Sequence, residues 1–320
     1  MSAKHVVLGS GAIGRAVTEE LIRRGESVRM VNHSGKLDEA PKGAEIVAAD
    51  LYDPTQVKRV AGEAKVVYQS AQPHYFEWPE KFPPLQKSIV DGLAGGSAKL
   101  VVVENLYMFG ETGGKSITED LPYNATTRKG RVRAVLSEAA LAAHRDGKLR
   151  VTIGRASDYF GPWGTATNMG GLVFGRLLQG KAAQIAGSAK MPHTQTYIPD
   201  FARGLVILGE RTEADGQAWH VPNDMPRITQ GEMIHMVASE AGVSPRTMLA
   251  GRALLSVMGL FVRELRETIE LLYEFEQPFV VDSGKFEKAF GMKATPMATA
   301  IHETTQWYKA HLDLKHEQGD

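Results

Sequence analysis

The chain has 320 residues, 43% apolar and 23% charged, with 37 Lys plus Arg against 37 Asp plus Glu and no cysteine. A chain of this length can bury a core without staples, and a formal net charge of zero argues against a nucleic-acid partner and for a small molecule. The missing cysteines exclude disulfides, thiolate catalysis and Cys-ligated metals.

In chain order, His5–Leu8 reads as a strand running into Gly9-Ser10-Gly11-Ala12-Ile13-Gly14. Ala12–Arg24 follows as a helix with Ile13, Val17, Leu21 and Ile22 on one side, ended by Gly25. Ser27–Val31 and Glu45–Ala48 are strands, and Asp53-Pro54 opens a helix as N-cap and N1. Lys65–Gln69, Lys99–Val103 and Leu149–Gly154 are further strands. Gly130–Ala143 is a helix with Val132, Val135, Leu136 and Ala139 on its apolar side. Strands alternating with helices predict an α/β fold, a Rossmann-type doubly wound parallel sheet.

After Gly154 the rhythm changes at the breaker cluster Gly161-Pro162-Trp163-Gly164. A long apolar helix is expected from about Ala253 to Phe275, serving as core or as oligomer contact, and an amphipathic helix over Pro296–Leu312. The predicted organisation is a dinucleotide-binding domain over 1–157, joined by returning segments near 194–221. A smaller, mostly helical substrate cap takes 158–193 and 222–320. The apolar run Ala253–Val262 is too short to span a bilayer, and the first strand leaves no room for a leader. The expectation is a cytoplasmic protein with no membrane partner, a homodimer being one reading of the long helix.

The Gly9-x-Gly11-x-x-Gly14 motif sits in the strand–turn–helix context that a dinucleotide loop demands. Gly9 permits the tight turn, Gly11 lets backbone approach a pyrophosphate, and Gly14 lets helix pack on strand; Ala12 and Ile13 open the helix that faces the phosphates. An NAD site usually has Asp or Glu at the end of the second strand. Here that end reads Asn32-His33-Ser34-Gly35-Lys36, with no acid, so NADP(H) is preferred, with NAD(H) as the alternative.

On these residues the chain resembles the extended short-chain dehydrogenase/reductase superfamily, and within it sequences of the NAD-dependent epimerase/dehydratase type. Further matching segments are Ala49-Asp50-Leu51, Ser70-Ala71, Arg155 through Pro162, and Tyr197-Ile198-Pro199-Asp200-Phe201-Ala202. The resemblance implies that Asp50 and Leu51 touch the adenine and that Ser70 and Ala71 line the cofactor. It also implies a Tyr-x-x-x-Lys pair, which this chain lacks: Tyr68, Tyr75, Tyr107, Tyr123 and Tyr159 are followed at that spacing by Gln72, Pro79, Glu111, Thr127 and Trp163. In the matching helix segment, Thr126 to Ala134, the Tyr is gone and arginines replace the Lys; the upstream Ser position holds Asn105.

An arginine holds a ribose but does not exchange a proton near neutral pH. The candidate assignments are therefore Asn105 as substrate or oxyanion positioner, Tyr107 or Tyr159 as proton donor, and Arg131 as ribose or phosphate holder. Asp158 is a residue that orients a neighbour or satisfies its own turn. His193 is read as an exposed loop residue, with a place on a substrate loop as the sharper alternative, and Asp200 as a helix cap. Trp163, Met169, Phe174, Met191 and Trp219 line an apolar pocket or belong to the core. No His-x-x-x-His pair occurs, so no metal is expected, and no Gly-x-Ser-x-Gly elbow is present. The reading is an NAD(P)-dependent oxidoreductase acting on a carbonyl, alcohol or activated alkene. A sugar-nucleotide epimerase or dehydratase and a non-catalytic NmrA-like dinucleotide sensor are the alternatives.

Overall fold

The computed structural model describes residues 3–251 and 269–312. Seven strands form one wholly parallel sheet: β1 (His5–Leu8), β2 (Val28–Asn32), β3 (Glu45–Ala48), β4 (Val66–Gln69), β5 (Lys99–Glu104), β6 (Arg150–Arg155) and β10 (Ala218–His220). Their order is β10-β6-β5-β4-β1-β2-β3. The order reverses beside β1, and such a switch point leaves a crevice beyond the carboxyl ends of the strands.

Side-chain alternation explains the two apolar layers. Val6, Leu8, Val67, Leu100, Val102 and Ile153 face α2 (Pro54–Ala61), α3 (Trp78–Leu93) and α4 (Arg128–Arg145). Val7, Tyr68 and Val101 face α1 (Ala12–Arg23) and α6 (Ile198–Glu210). Asp53 accepts from the Thr55 N–H at 2.8 Å, as an N-cap should. Gln217–Val221 returns to the sheet through β10, paired with β6. Tyr197–Leu208 returns differently: Tyr197 closes β9 (Gln195–Tyr197) and the rest is helix α6 lying on the sheet.

Three expectations change. No element is assigned above between β4 and β5, yet α3 lies there, because Pro79, Pro83 and Pro84 hide a helical pattern. Pro79 sits in the first turn, where its missing N–H costs nothing. Trp78, Phe82, Leu85, Ile89 and Leu93 are nevertheless buried at helical spacing. On α4 the buried face carries Lys129, Arg133, Leu136, Ser137 and Ala140, while Val135 is exposed. The apolar side predicted for that helix is thus rotated, because its inner face carries polar residues towards the crevice. Asp200 does not cap α6; its carboxylate accepts from Thr295 N and Oγ1 at 2.6 and 2.7 Å, fastening the C-terminal segment.

The second half contains α5 (Arg176–Leu178), α7 (Gln230–Ala241), the helices Gly284–Phe290 and Met297–Ala310, and two small parallel pairs. These pair β7 (Asp158–Phe160) with β9, and β8 (Ala183–Ala186) with β11 (Thr247–Ala250). Most of the long helix expected from Ala253 lies outside the described residues, and its end is the short helix Tyr273–Glu276. Met169, Phe174 and Trp219 are core residues, not pocket lining. Among the described residues no helix is long and apolar enough to cross a membrane, and no cluster of His, Asp and Glu could hold a metal ion.

Candidate active site

The glycine loop is built by steric demand. Gly9 has φ +108°, and a Cβ there would lie 2.6 Å from Ala71 N. Ala71 N and Ser70 Oγ both donate to Leu8 O, at 2.7 and 3.0 Å, so β4 clamps the turn. A Cβ on Gly14 would lie 2.2 Å from Gly9 O, so α1 could not pack against the turn with any larger residue. Gly11 is different: a Cβ there would meet nothing within 4 Å. It is the N-cap of α1 and gives that helix no side-chain cap. The first-turn N–H groups of Ala12, Ile13 and Gly14 therefore receive no side-chain cap from Gly11 and stand at the positive end of the helix dipole. Packed Gly9 and Gly14 around an open Gly11 fit a bound pyrophosphate.

At the end of β2, Asn32 is occupied by its own turn. Its amide donates to Lys36 O at 2.8 Å and to Ser10 Oγ at 3.3 Å, and its carbonyl oxygen accepts from Gly35 N at 2.6 Å. His33 and Ser34 are exposed at the tip of this turn. Arg15 on α1 donates to the backbone carbonyls of Asp38 and Glu39, both at 2.8 Å, holding the next stretch of loop. Asp50 is exposed and accepts from Tyr52 N at 2.9 Å, with Leu51 buried beside it.

The other end of the crevice is formed by residues just past β4, β5 and β6. Tyr107 follows β5, and its hydroxyl accepts from Tyr75 at 3.3 Å. Asn105 uses its carbonyl oxygen on Tyr107 N at 3.4 Å. Tyr159, on β7, packs against Phe201. Burial pushes the hydroxyls of Tyr75, Tyr107 and Tyr159 up; Arg133 pulls Tyr159 back, but less.

From α4 two buried cations reach this region, four residues apart on one face. Lys129 Nζ pairs with Glu270 at 2.9 Å and lies 4.4 Å from the Tyr75 ring centre. The Arg133 guanidinium lies over Trp78 at 4.2 Å and donates to Gln72 Oε1 at 3.3 Å. Its buried Nε has no hydrogen-bond partner among the described residues. Arg131 is exposed on the opposite side of α4. The structure thus brings together Asn105, Tyr107, Tyr159 and Arg133, and leaves Arg131 outside.

His193 is buried, at 1% side-chain exposure, and not on an exposed loop as expected. Its ring lies between Phe275 and Phe279, at centroid distances of 4.7 and 5.3 Å. Nε2 contacts Asp158 Oδ2 at 2.7 Å and Nδ1 contacts the Glu274 carbonyl at 2.9 Å. Burial, then the nearby Asp158 charge, pushes the Glu274 carboxyl well above the usual range. Sequence reasoning missed Lys129, Tyr75 and Glu274, and chose Arg131 over Arg133 between the two arginines that stand in the family's Lys region. Of the missed residues only Lys129 carried a signal, its four-residue spacing from Arg133 on one helix.

Residues 6–221 match the NAD dependent epimerase/dehydratase family. No curated protein matches the chain. Among solved structures, gox2253 is similar at TM-score 0.79 and 19% identity, covering 97% of this chain and 99% of its own. The dTDP-glucose 4,6-dehydratase of Bacillus anthracis str. Ames, in complex with NAD, gives 0.78 and 14%, with 97% of each chain covered. The UDP-glucose 4-epimerase of Thermotoga maritima, with UDP-glucose, gives 0.78 and 16%, covering 96% and 99%.

Proposed function

The chain belongs to the NAD dependent epimerase/dehydratase family, and on that premise we propose an NAD(P)-dependent oxidoreductase that moves a hydride between nicotinamide and a carbonyl, alcohol or activated alkene of a small organic substrate. One observation carries the reading. The open phosphate cradle at Gly11 and the polar cluster of Asn105, Tyr107, Tyr159 and Arg133 lie along one crevice at the carboxyl ends of one sheet. When bound, the cofactor supplies the electron pair and the substrate carbon receives it.

The chain's residues then have separate tasks. Gly9, Gly11, Ala12, Ile13 and Gly14 hold the pyrophosphate through backbone N–H groups. Asp50 and Leu51 flank the adenine, and Ser70 and Ala71 support the middle of the cofactor. Arg133 takes the ribose-holding role first assigned to Arg131, because it is buried at the crevice with an unpaired Nε. Asn105 directs its amide to the substrate oxygen, and Tyr107 and Tyr159 donate hydrogen bonds to the same oxygen as charge develops. The described residues of the cap, 158–193, 222–251 and 269–312, shield the substrate from water.

NADP(H) is the preferred form, supported by the exposed His33, Ser34 and Lys36 and by the absence of an acid from residues 32–36. Titration with NADPH and NADH tests this: NADPH is expected to bind at least tenfold more tightly, and tighter NADH binding overturns the preference. Sugar-nucleotide epimerisation or dehydration is the second reading, favoured by the activities named for the Bacillus anthracis and Thermotoga maritima proteins. It predicts NAD retained through purification, whereas the oxidoreductase exchanges cofactor freely.

A further inference from the structure

Resting on the oxidoreductase reading, we propose that Asp158 is the catalytic acid–base of this site and that His193 loads it with its proton. The argument begins at His193 Nδ1, 2.9 Å from the Glu274 backbone carbonyl. A carbonyl oxygen only accepts, so Nδ1 carries a hydrogen. At the other end of the ring, Nε2 lies 2.7 Å from Asp158 Oδ2. With Nδ1 already protonated, two bare lone pairs would meet there unless a second proton lies between them. The Asp158–His193 pair therefore holds one proton beyond the neutral imidazole and the carboxylate.

The surroundings keep that proton in place. His193 is buried between two phenylalanine rings, and the neighbouring Glu274 carboxyl is pushed towards its neutral form, so it does not compete as an anion. Asp158 is the one end open to the crevice, with 22% of its side chain exposed. Oδ1 has no hydrogen-bond partner among the described residues, so turning the carboxyl breaks only its bond to His193. The titratable groups facing Asp158 are His193, Glu274 and the tyrosines 75, 107 and 159.

The step balances. As the substrate carbonyl carbon accepts the electron pair with hydrogen from the reduced nicotinamide, the C=O π pair moves onto oxygen. The proton passes from Nε2 to Asp158, and rotation of the carboxyl delivers it to that oxygen. An alcohol, a carboxylate and a neutral Nδ1–H imidazole remain, and one proton taken up from bulk solvent through the partly exposed Asp158 carboxylate resets the pair. This supplies what Tyr107 and Tyr159, made less acidic by burial, supply poorly.

The test uses the full chain with 15N-labelled histidine, the His193 signals being identified by their loss in His193→Gln. Both ring nitrogens of His193 are expected to be protonated at pH 7, with Nε2 turning pyridine-type in Asp158→Asn while Nδ1 keeps its hydrogen. A wild-type His193 protonated on only one ring nitrogen overturns the proposal. With NADPH and 4-nitrobenzaldehyde or ethyl pyruvate as probes, Asp158→Asn is expected to lower kcat about 100-fold. Its NADPH affinity should stay within about twofold, because Asp158 holds no part of the cofactor. Turnover retained within about threefold, or a rate loss matched by lost NADPH affinity, also overturns the proposal. Failure of the oxidoreductase reading looks different: the unmodified chain turns over neither probe, while the nitrogen spectra still decide whether the pair holds its proton.

Discussion

His220 is wholly buried at the end of β10, edge-on to Phe109, with Nδ1 3.1 Å from the Asp282 carbonyl. Burial, then the nearby Arg155 charge, pushes its imidazole down to about 3 from the ordinary 6.5. The unfolded chain takes up this proton first as pH falls. His220 thus costs nothing above about pH 6.5, and below it stability erodes by on the order of 1 kcal/mol per pH unit until about pH 3. His220→Gln is expected to flatten that part of the stability curve, measured by urea unfolding at a series of pH values; an unchanged slope would refute the assignment. Arg155 and Glu104 form a buried pair at 3.0 Å, and Ser137 accepts from Arg155 at 2.6 Å. Removing one charge strands the other, so Glu104→Gln should cost about 3–5 kcal/mol in the same assay. A loss below 1 kcal/mol would show that the pair is solvated in solution.

The elements divide their labour in ways that substitutions can separate. Gly14→Ala places a methyl against Gly9 O and should lower both stability and cofactor affinity. Gly11→Ala places its methyl in open space, where backbone at φ −70° tolerates alanine. It should leave the melting temperature within about 2 °C, since it adds no clash, yet weaken NADPH binding more than tenfold. Equal losses of stability in the two variants would remove the cradle argument. On α4, Arg133→Ala should reduce cofactor affinity while Arg131→Ala leaves it unchanged, because only the first side chain is turned inward. Titration of both variants with NADPH reads this directly. The motif and the Asp53 cap were legible in the sequence because backbone sterics are local, whereas Asp200 is taken from its helix by a distant threonine. The inner face of α4 was not, since cations usually mark a solvated face and here they line a crevice.

At the scale of the whole molecule, one aromatic cluster joins the cofactor side to the C-terminal helix. The Arg15 guanidinium lies 4.0 Å from the Trp163 ring centre, and Trp163 packs edge-on to Trp307 at 5.2 Å. His311 approaches Glu39 at 3.6 Å, on the same loop whose carbonyls Arg15 holds. Trp163→Ala should therefore destabilise the fold by about 2 kcal/mol through lost aromatic and cation–π packing. It should also weaken NADPH binding, because the loop after β2 loses its brace. Chemical denaturation and cofactor titration measure the two effects, and full NADPH affinity in a destabilised variant would show that the brace serves packing alone.

The Rossmann sheet, the glycine loop, most strand positions and the absence of any Tyr-x-x-x-Lys spacing can be read from the chain alone. Each is written in short-range periodicity, turn chemistry or spacing, and needs no distant partner to be recognised. Which polar residues meet follows from long-range packing. Asp158 and His193 are 35 residues apart and His193 and Glu274 are 81 apart, yet β7 and the segment after residue 269 bring them into contact. His193 looked like a loop residue because a lone histidine carries no periodic signal. Its enclosure by two phenylalanine rings and its contact with a backbone carbonyl exist only after folding.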